Sequence, residues 1–200
     1  YKGKVCNFES SDLFEYDDFE KRLFHVLYVC DVSTFHPYIL YLYRTYQADS
    51  TELRLRLEKL ESFIVRRFIC NSDTKNYNKL CKEFISDISK LDVALSEMSD
   101  ENFKKALQRV SNKQATLVLF WVELYRRCVN KCYDREELKY TYTLEHIIPQ
   151  KWEEYWSRVP VTDERGNKVV NVDDAKTCRY KAVYNIGNMT LLKSSLNTAI

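Results

Sequence analysis

The chain is poor in turn-forming residues, with three Gly and three Pro among its 200 residues, and it has only three His. So little glycine and proline argues against a fold of many short strands joined by tight turns, and favours long helices. No glycine-rich phosphate loop, internal repeat or low-complexity segment occurs, so the sequence signs of a nucleotide-cradling loop and of a solenoid are missing. No apolar run reaches the roughly 20 residues that a membrane span needs, and no signal peptide is visible. No membrane partner is expected. Cys-x-x-Cys is absent too. The seven cysteines, at 6, 30, 70, 81, 128, 132 and 178, are odd in number and irregular in spacing. That pattern fits reduced thiols in a cytoplasmic protein, with no disulfide framework and no structural zinc. Cys128 and Cys132 share a helix face, which reads as buried apolar packing rather than a metal pair.

What the chain does have is 45% hydrophobic and 30% charged residues, the composition of a folded domain rather than a disordered one. Fifteen Tyr and ten Phe are expected mainly as packing between helices. The net charge is +2, divided as −1 over residues 1–110 and +3 over 111–200. The small basic excess therefore lies toward the C-terminal side, the direction a phosphate backbone would favour.

Hydrophobic spacing of three and four predicts a succession of helices. Asp12 is expected to cap the first, through Phe19, Leu23, Val26, Leu27 and Cys30, with His25 inside its apolar pattern as a structural residue. His36-Pro37 opens a second, since proline suits a first turn. Ser50 caps a third over about 51–70, lined by Leu53, Leu57, Leu60, Ile64 and Phe68. A helix over about 75–90, another starting at Asp100 and a long one from Lys113 to Val129 follow. The last is apolar almost all round, which predicts a central, buried position. Arg66-Arg67 and Arg126-Arg127 each lie near a helix C-terminus, where they complement the dipole. These four residues and Lys193 are also the candidate contacts to a phosphate backbone.

The character changes near residue 140. Tyr140 to Ile148 is a predicted strand, stopped by Pro149. Trp152, Tyr155 and Trp156 suggest a short helix. Asp163 to Asn167 is a polar turn, and Val169-Val170 begins a small hairpin arm. Asp173-Asp174 starts a helix to Tyr184, a capping role favoured over metal ligation. Gly187 bends the chain into a strand over Met189–Leu192, and Ser194 or Ser195 would cap a final helix.

Two stretches carry chemistry: Leu144-Glu145-His146-Ile147-Ile148-Pro149-Gln150, and Asn185-Ile186-Gly187-Asn188-Met189-Thr190-Leu191-Leu192 running on to Asn197. Phosphodiester hydrolysis needs a base for water and a centre that stabilises charge on the leaving oxygen. A neutral imidazole is such a base near pH 7. A hard divalent cation stabilises the leaving oxygen with few protein oxygens and several waters. His146 offers the first; Glu145 and Asn197 offer oxygens. Neighbours on a strand point to opposite faces, so Glu145 and His146 can flank one phosphate only at a strand end or twist.

At these residues the sequence resembles the HNH branch of the His-Me finger (ββα-metal) nucleases. More narrowly, it resembles the C-terminal nuclease domain of GmrSD-type modification-dependent (type IV) restriction enzymes. The shared pattern is Glu145-His146-Ile147-Ile148-Pro149-Gln150, then Trp152, then Gly187-Asn188-Met189-Thr190-Leu191-Leu192 and Asn197. Met189 stands where the family usually has Leu. A weaker likeness lies at Phe63–Cys70 and Thr74–Lys79. The resemblance implies His146 as general base, Asn188 as the middle Asn that holds the loop and supports it, and Glu145 with Asn197 as metal ligands. It implies Mg²⁺, with Mn²⁺ as the alternative.

The expected architecture is mainly α: a helical domain over 1–139, then a small ββα-metal finger over 140–200. The chain starts at Tyr1 rather than Met, which reads as a fragment or a processed product, and it ends three residues past Asn197. The finger's last helix is therefore expected to be incomplete. The implied function is a metal-dependent DNA endonuclease domain of a restriction and anti-phage defence protein. Foreign DNA, modified in particular, would be the target. An NTPase or sensor domain in the same polypeptide or on a second subunit would be the partner. The alternative is a catalytically silent module of nuclease-like fold that binds DNA or docks a partner. Taken without the resemblance, Glu145-His146 also reads as an accidental pair in a structural domain.

Overall fold

The computed structural model describes residues 8–48, 50–130, 132, 137–163 and 165–193. It is mainly helical, 58% helix and 9% strand, with two small antiparallel sheets. The described residues form two compact units, one within 1–103 and 120–140, the other within 104–119 and 141–200.

The first unit opens with β1 (Leu13–Phe14), which pairs with β2 (Leu138–Lys139). Helices α1 (Phe19–Val29), α2 (His36–Thr45), α3 (Thr51–Ile69), α4 (Tyr77–Ser86) and α5 (Ser89–Ser96) follow. Two of the starts are those the sequence predicts. Pro37 stands in the first turn of α2, and the Ser50 side chain accepts from Leu53 N at 3.2 Å to cap α3. The first helix is a correction. Its cap is Asp18, which accepts from Lys21 N at 3.0 Å, whereas Asp12 closes a local turn by accepting from Glu9 N at 2.8 Å. The intervening Leu13–Phe14 is drawn into a strand by a partner some 120 residues away in sequence, which local spacing cannot reveal.

The helix expected over about 75–90 is also two helices. Asp87 takes an extended conformation, and its carboxylate accepts from both the backbone N and the hydroxyl of Ser89 at 2.9 and 2.7 Å. A short acidic side chain that bonds the backbone locally competes with the helix ladder, and here it wins. Helix α5 is then held to α3 by Asp92, which meets Arg56 at 3.2 Å and Lys59 at 2.6 Å.

No repeat shows in the sequence, yet α1 and α3 end in the same way. Val32 N bonds Leu27 O and Asp31 N bonds Tyr28 O; likewise Ser72 N bonds Arg67 O and Asn71 N bonds Phe68 O. Asp31 and Asn71 supply the left-handed residue, at φ 55° and 52°. These are Schellman turns built without glycine, on the short polar residues that tolerate that conformation best.

Among the described residues, aromatic clusters fill parts of the first unit. Phe35, Phe63 and Phe84 meet at centroid distances of 5.5–5.9 Å. Phe14, Phe120, Trp121 and Tyr140 surround His25, which is 1% exposed and accepts from Trp121 Nε1 at 3.1 Å. His25 is structural, as its spacing predicts. Arg22, 6% exposed, donates from Nε to both oxygens of Glu61 and from Nη1 to Tyr16 O.

Helices α6 (Asp100–Leu107) and α7 (Asn112–Val129) follow α5. Ser99 and Ser111 cap them. Ser111 and Gln114 bond reciprocally, side chain to backbone, in a capping box. Helix α7 is not buried all round: Ala115, Leu117, Phe120, Trp121 and Leu124 are buried, while Val122, Tyr125 and Val129 are exposed.

The second unit holds β3 (Tyr142–His146), α8 (Trp152–Tyr155), α9 (Val172–Val183), a 3-10 turn (Ile186–Asn188) and β4 (Met189–Lys193). The strands are antiparallel with Glu145 opposite Thr190 and His146 opposite Met189. Met189 packs on Val110 and Ala115, with Leu144 and Ile186 against them. Between α8 and α9, Asp163 anchors a tight turn with Gly166 at φ 82°, flanked by the Thr162–Lys168 bridge. The Asn171 side chain caps α9 by accepting from Asp173 N and Asp174 N. The paired aspartates thus sit in the helix's first turn, beside its positive end.

Candidate active site

The second unit brings the two chemistry-bearing stretches together through β3 and β4. His146 is the last residue of β3 and Met189, its cross-strand partner, the first of β4. Asn188 immediately precedes Met189 and is 8% exposed. Its backbone O accepts from Ile147 N at 2.8 Å, and its side-chain Oδ1 accepts from Ile148 N at 2.8 Å. Its Nδ2 donates to Ile148 O and to Val183 O, both at 3.0 Å. Both donors and the acceptor of the amide are therefore used. The side chain ties the segment after His146 to the end of α9, and it is a positioning residue rather than one free to meet substrate.

The turn that delivers Asn188 is set by Asn185, whose Oδ1 accepts from Gly187 N at 2.8 Å. A Cβ on Gly187 would stand 3.2 Å from that oxygen, so glycine serves a close approach there rather than a positive φ.

His146 is half-buried. Its Nε2 is fully buried with no hydrogen-bond partner. Its ring meets Tyr184 edge-on at 6.4 Å. Strand alternation sets His146 with Leu144 and their cross-strand partners Met189 and Leu191 on one face. Glu145 falls on the other face with Thr143 and Thr190. The two meet only as neighbours at the end of the strand, since β3 stops at His146 and Pro149 follows.

Trp152 is 6% exposed and packs edge-on against Tyr180 at 5.9 Å. Arg179, 6% exposed, lies 6.0 Å from the Trp152 and Trp156 ring centroids and donates from Nη2 to Val159 O at 2.8 Å. Neither Tyr184 nor Arg179 is marked by a motif.

Of the other expected site residues, Asn197 and the final helix after Ser194 or Ser195 lie outside the described residues. Lys193 ends β4 and is exposed, opposite Tyr142. In the first unit, Arg66 donates to Met98 O and Asp100 and lies over the Phe103 ring. Arg67 donates to Asp73 O. Arg126 and Arg127 both pair with Glu123. Arg66, Arg126 and Arg127 are thus each paired with a carboxylate, whereas Arg67 is held by a backbone carbonyl.

Glu145 supplies one hard oxygen donor of the kind Mg²⁺ takes when it keeps several waters. Among the described residues no group of three His, Cys, Asp or Glu is placed to hold a metal.

A family model described as GmrSD restriction endonucleases, C-terminal domain, matches residues 97–200, more than half of the chain. The chain belongs to this family. It carries a restriction-endonuclease-type nuclease domain. The matched span of the GmrSD C-terminal domain contains both stretches from which the resemblance is read, and it begins upstream of them, before α6. No curated protein and no solved structure matches. Among the described residues of this GmrSD-family chain, no helix is long and apolar enough to cross a membrane.

Proposed function

We propose that the chain is an HNH-type DNA endonuclease domain in which His146 is the general base, at the end of a hairpin clamped by Asn188. The observation that carries this reading is the placing of His146 at the end of β3, beside a segment whose backbone is fixed by Asn188. A general base must have its ring held still relative to the phosphate. Strands β3 and β4 would form the ββ part of a ββα finger.

The Mg²⁺-class cation, for which Glu145 and Asn197 are the proposed oxygen ligands, would neutralise charge on the leaving oxygen when bound. His146 takes the proton of the attacking water. Asn188 holds the Ile147–Ile148 backbone and so the orientation of the ring. The end of β3 is where a phosphate would be approached by both Glu145 and His146. Lys193 would contact the DNA backbone beside the hairpin, and Arg66, Arg67, Arg126 and Arg127 are secondary candidates. The helical part over 1–139 would connect to an NTPase or sensor domain that recognises modified foreign DNA.

Plasmid cleavage with Mg²⁺ or Mn²⁺ tests the reading, on plain and modified DNA, with and without residues added past Ile200. General base catalysis contributes roughly 10²–10⁴-fold. His146→Ala should lower cutting by about that factor. Cutting that survives His146→Ala sinks the assignment of the base. A folded chain that cuts neither DNA under any of these conditions favours the silent binding module.

A further inference from the structure

Helices α6 and α7 meet at a corner that carries four cations within ten residues: Lys104, Lys105, Arg109 and Lys113. All four are exposed. No Asp or Glu occurs between Glu101 and Glu123, and none of the four is in an ion pair among the described residues. Helix stability accounts for only half of them. Lys104 and Lys105 lie in the last turn of α6, where they complement the dipole. Arg109 lies between the helices, and Lys113 stands in the first turn of α7, where a cation opposes the dipole. Like charges this close repel one another, a cost that a polyanion would remove.

The apolar side of the same corner is seated beside the candidate active site. Val110 and Ala115 pack with Met189, and Leu107, Leu119 and Leu144 pack around them. Met189 and Leu144 lie on the hairpin face that carries His146, whereas Glu145 lies on the other. Val110 N also donates to Tyr184 O at 3.3 Å, and the Tyr184 ring meets His146 edge-on. The corner is thus fixed to the His146 face by two separate contacts, all within the second unit.

Duplex DNA carries one negative charge per about 1.7 Å of its axis, so cations beside a cutting site meet the phosphates that flank the one being cut. We propose that the α6–α7 corner holds the DNA backbone beside the hairpin, through Lys104, Lys105, Arg109 and Lys113. Such contacts position the duplex without reading its sequence. They are open to solvent, whereas Arg66, Arg126 and Arg127 each already pair with a carboxylate. The proposal rests on the reading of the hairpin as the cutting site.

The test is fluorescence anisotropy of a labelled DNA duplex with the 200-residue chain, in EDTA and across a salt series. Without metal, binding is read apart from cutting. Lys104→Gln, Lys105→Gln, Arg109→Gln and Lys113→Gln are combined in one variant; Gln has nearly the helix propensity of Lys and Arg, so the urea midpoint should stay in place. Losing four phosphate contacts should lower the slope of log affinity against log salt by about 3.6. Raising salt from about 50 to about 200 mM should then weaken the parent roughly 150-fold more than the variant. Each single substitution should take about 0.9 from the slope. Lys75→Gln, Lys79→Gln, Lys82→Gln and Lys90→Gln, at exposed positions of the first unit, make the same charge change and should keep the slope. The proposal fails if the fourfold corner variant keeps the parent's slope, if the control loses as much, or if the parent binds RNA alone or no nucleic acid. Binding lost by the corner variant, with cutting that survives His146→Ala, keeps the surface and removes the base. Binding unaltered in the corner variant, with cutting abolished by His146→Ala, removes the surface and keeps the base.

Discussion

Replacing Asn188 by Ala should destabilise the second unit out of proportion to the size of the side chain. The substitution removes three hydrogen bonds: from Ile148 N at 2.8 Å, and to Ile148 O and Val183 O at 3.0 Å each. Each buried group left unpaired costs about 1–3 kcal/mol. The Val183 carbonyl contact is buried, whereas the two at Ile148 are only partly so, and water can replace them in part. The expected loss is therefore about 3 kcal/mol, below the sum of three full penalties. Urea unfolding followed through Trp152 fluorescence, with Trp121 and Trp156 replaced by Phe in both proteins compared, measures it in the right place, since that ring is buried in the second unit. Asn188→Asp sharpens the test. It keeps the acceptor for Ile148 N but turns a carboxylate toward two carbonyl oxygens. At neutral pH it should be worse than Asn188→Ala, and it should recover on acidification as the carboxyl takes up a proton and can donate again. A loss below about 0.5 kcal/mol for Asn188→Ala, the level of an ordinary surface change, would refute the clamp.

The first unit should lose stability on acidification through His25. Burial, and then Lys21, holds this imidazole down to about 4 from 6.5. Its folded value is below its unfolded one, so the unfolded chain takes the proton first. Stability falls as pH drops through about 6.5, levels off below about 4, and changes by at most ~3 kcal/mol; pH-dependent urea unfolding should show this step, and His25→Phe should lack it. Arg22→Met strands Glu61, whose side chain is only 17% exposed and whose carboxyl burial already pushes up against the pull of Arg22. That variant should lose about 3–5 kcal/mol, while Arg22→Met with Glu61→Leu regains most of it; a double-mutant cycle decides. Gly166→Ala meets open space but must hold φ at 82°, so it should cost about 1–2 kcal/mol from backbone strain alone, measurable as a small shift in the same unfolding curve.

How far the sequence could be read is clearest where a signal was local. Ser50 before an apolar stripe and Pro37 in a first turn both act within one turn, and their helices start where those residues stand. Glu145-His146 with Pro149, and Gly187-Asn188, identified the family, because residue identity at fixed spacing survives whatever the rest of the chain does. Other features needed the folded chain. Leu13–Phe14 became a strand through Leu138–Lys139, and that long-range pairing moved the first helix cap from Asp12 to Asp18. The break at Asp87 came from one side chain outbidding a helix ladder.

The site divides along the same line. The residues proposed to carry the chemistry were read from the sequence. That Asn188 spends its whole amide on Ile148 and Val183, and that His146 keeps a buried nitrogen unpaired, was decided by the β3–β4 register and the approach of α9. Hydrogen bonds between groups 40 residues apart in sequence exist only once the strands have paired, so no local pattern encodes them. Local sequence determined the elements and the motif; tertiary packing decided which polar atoms are satisfied and which remain free.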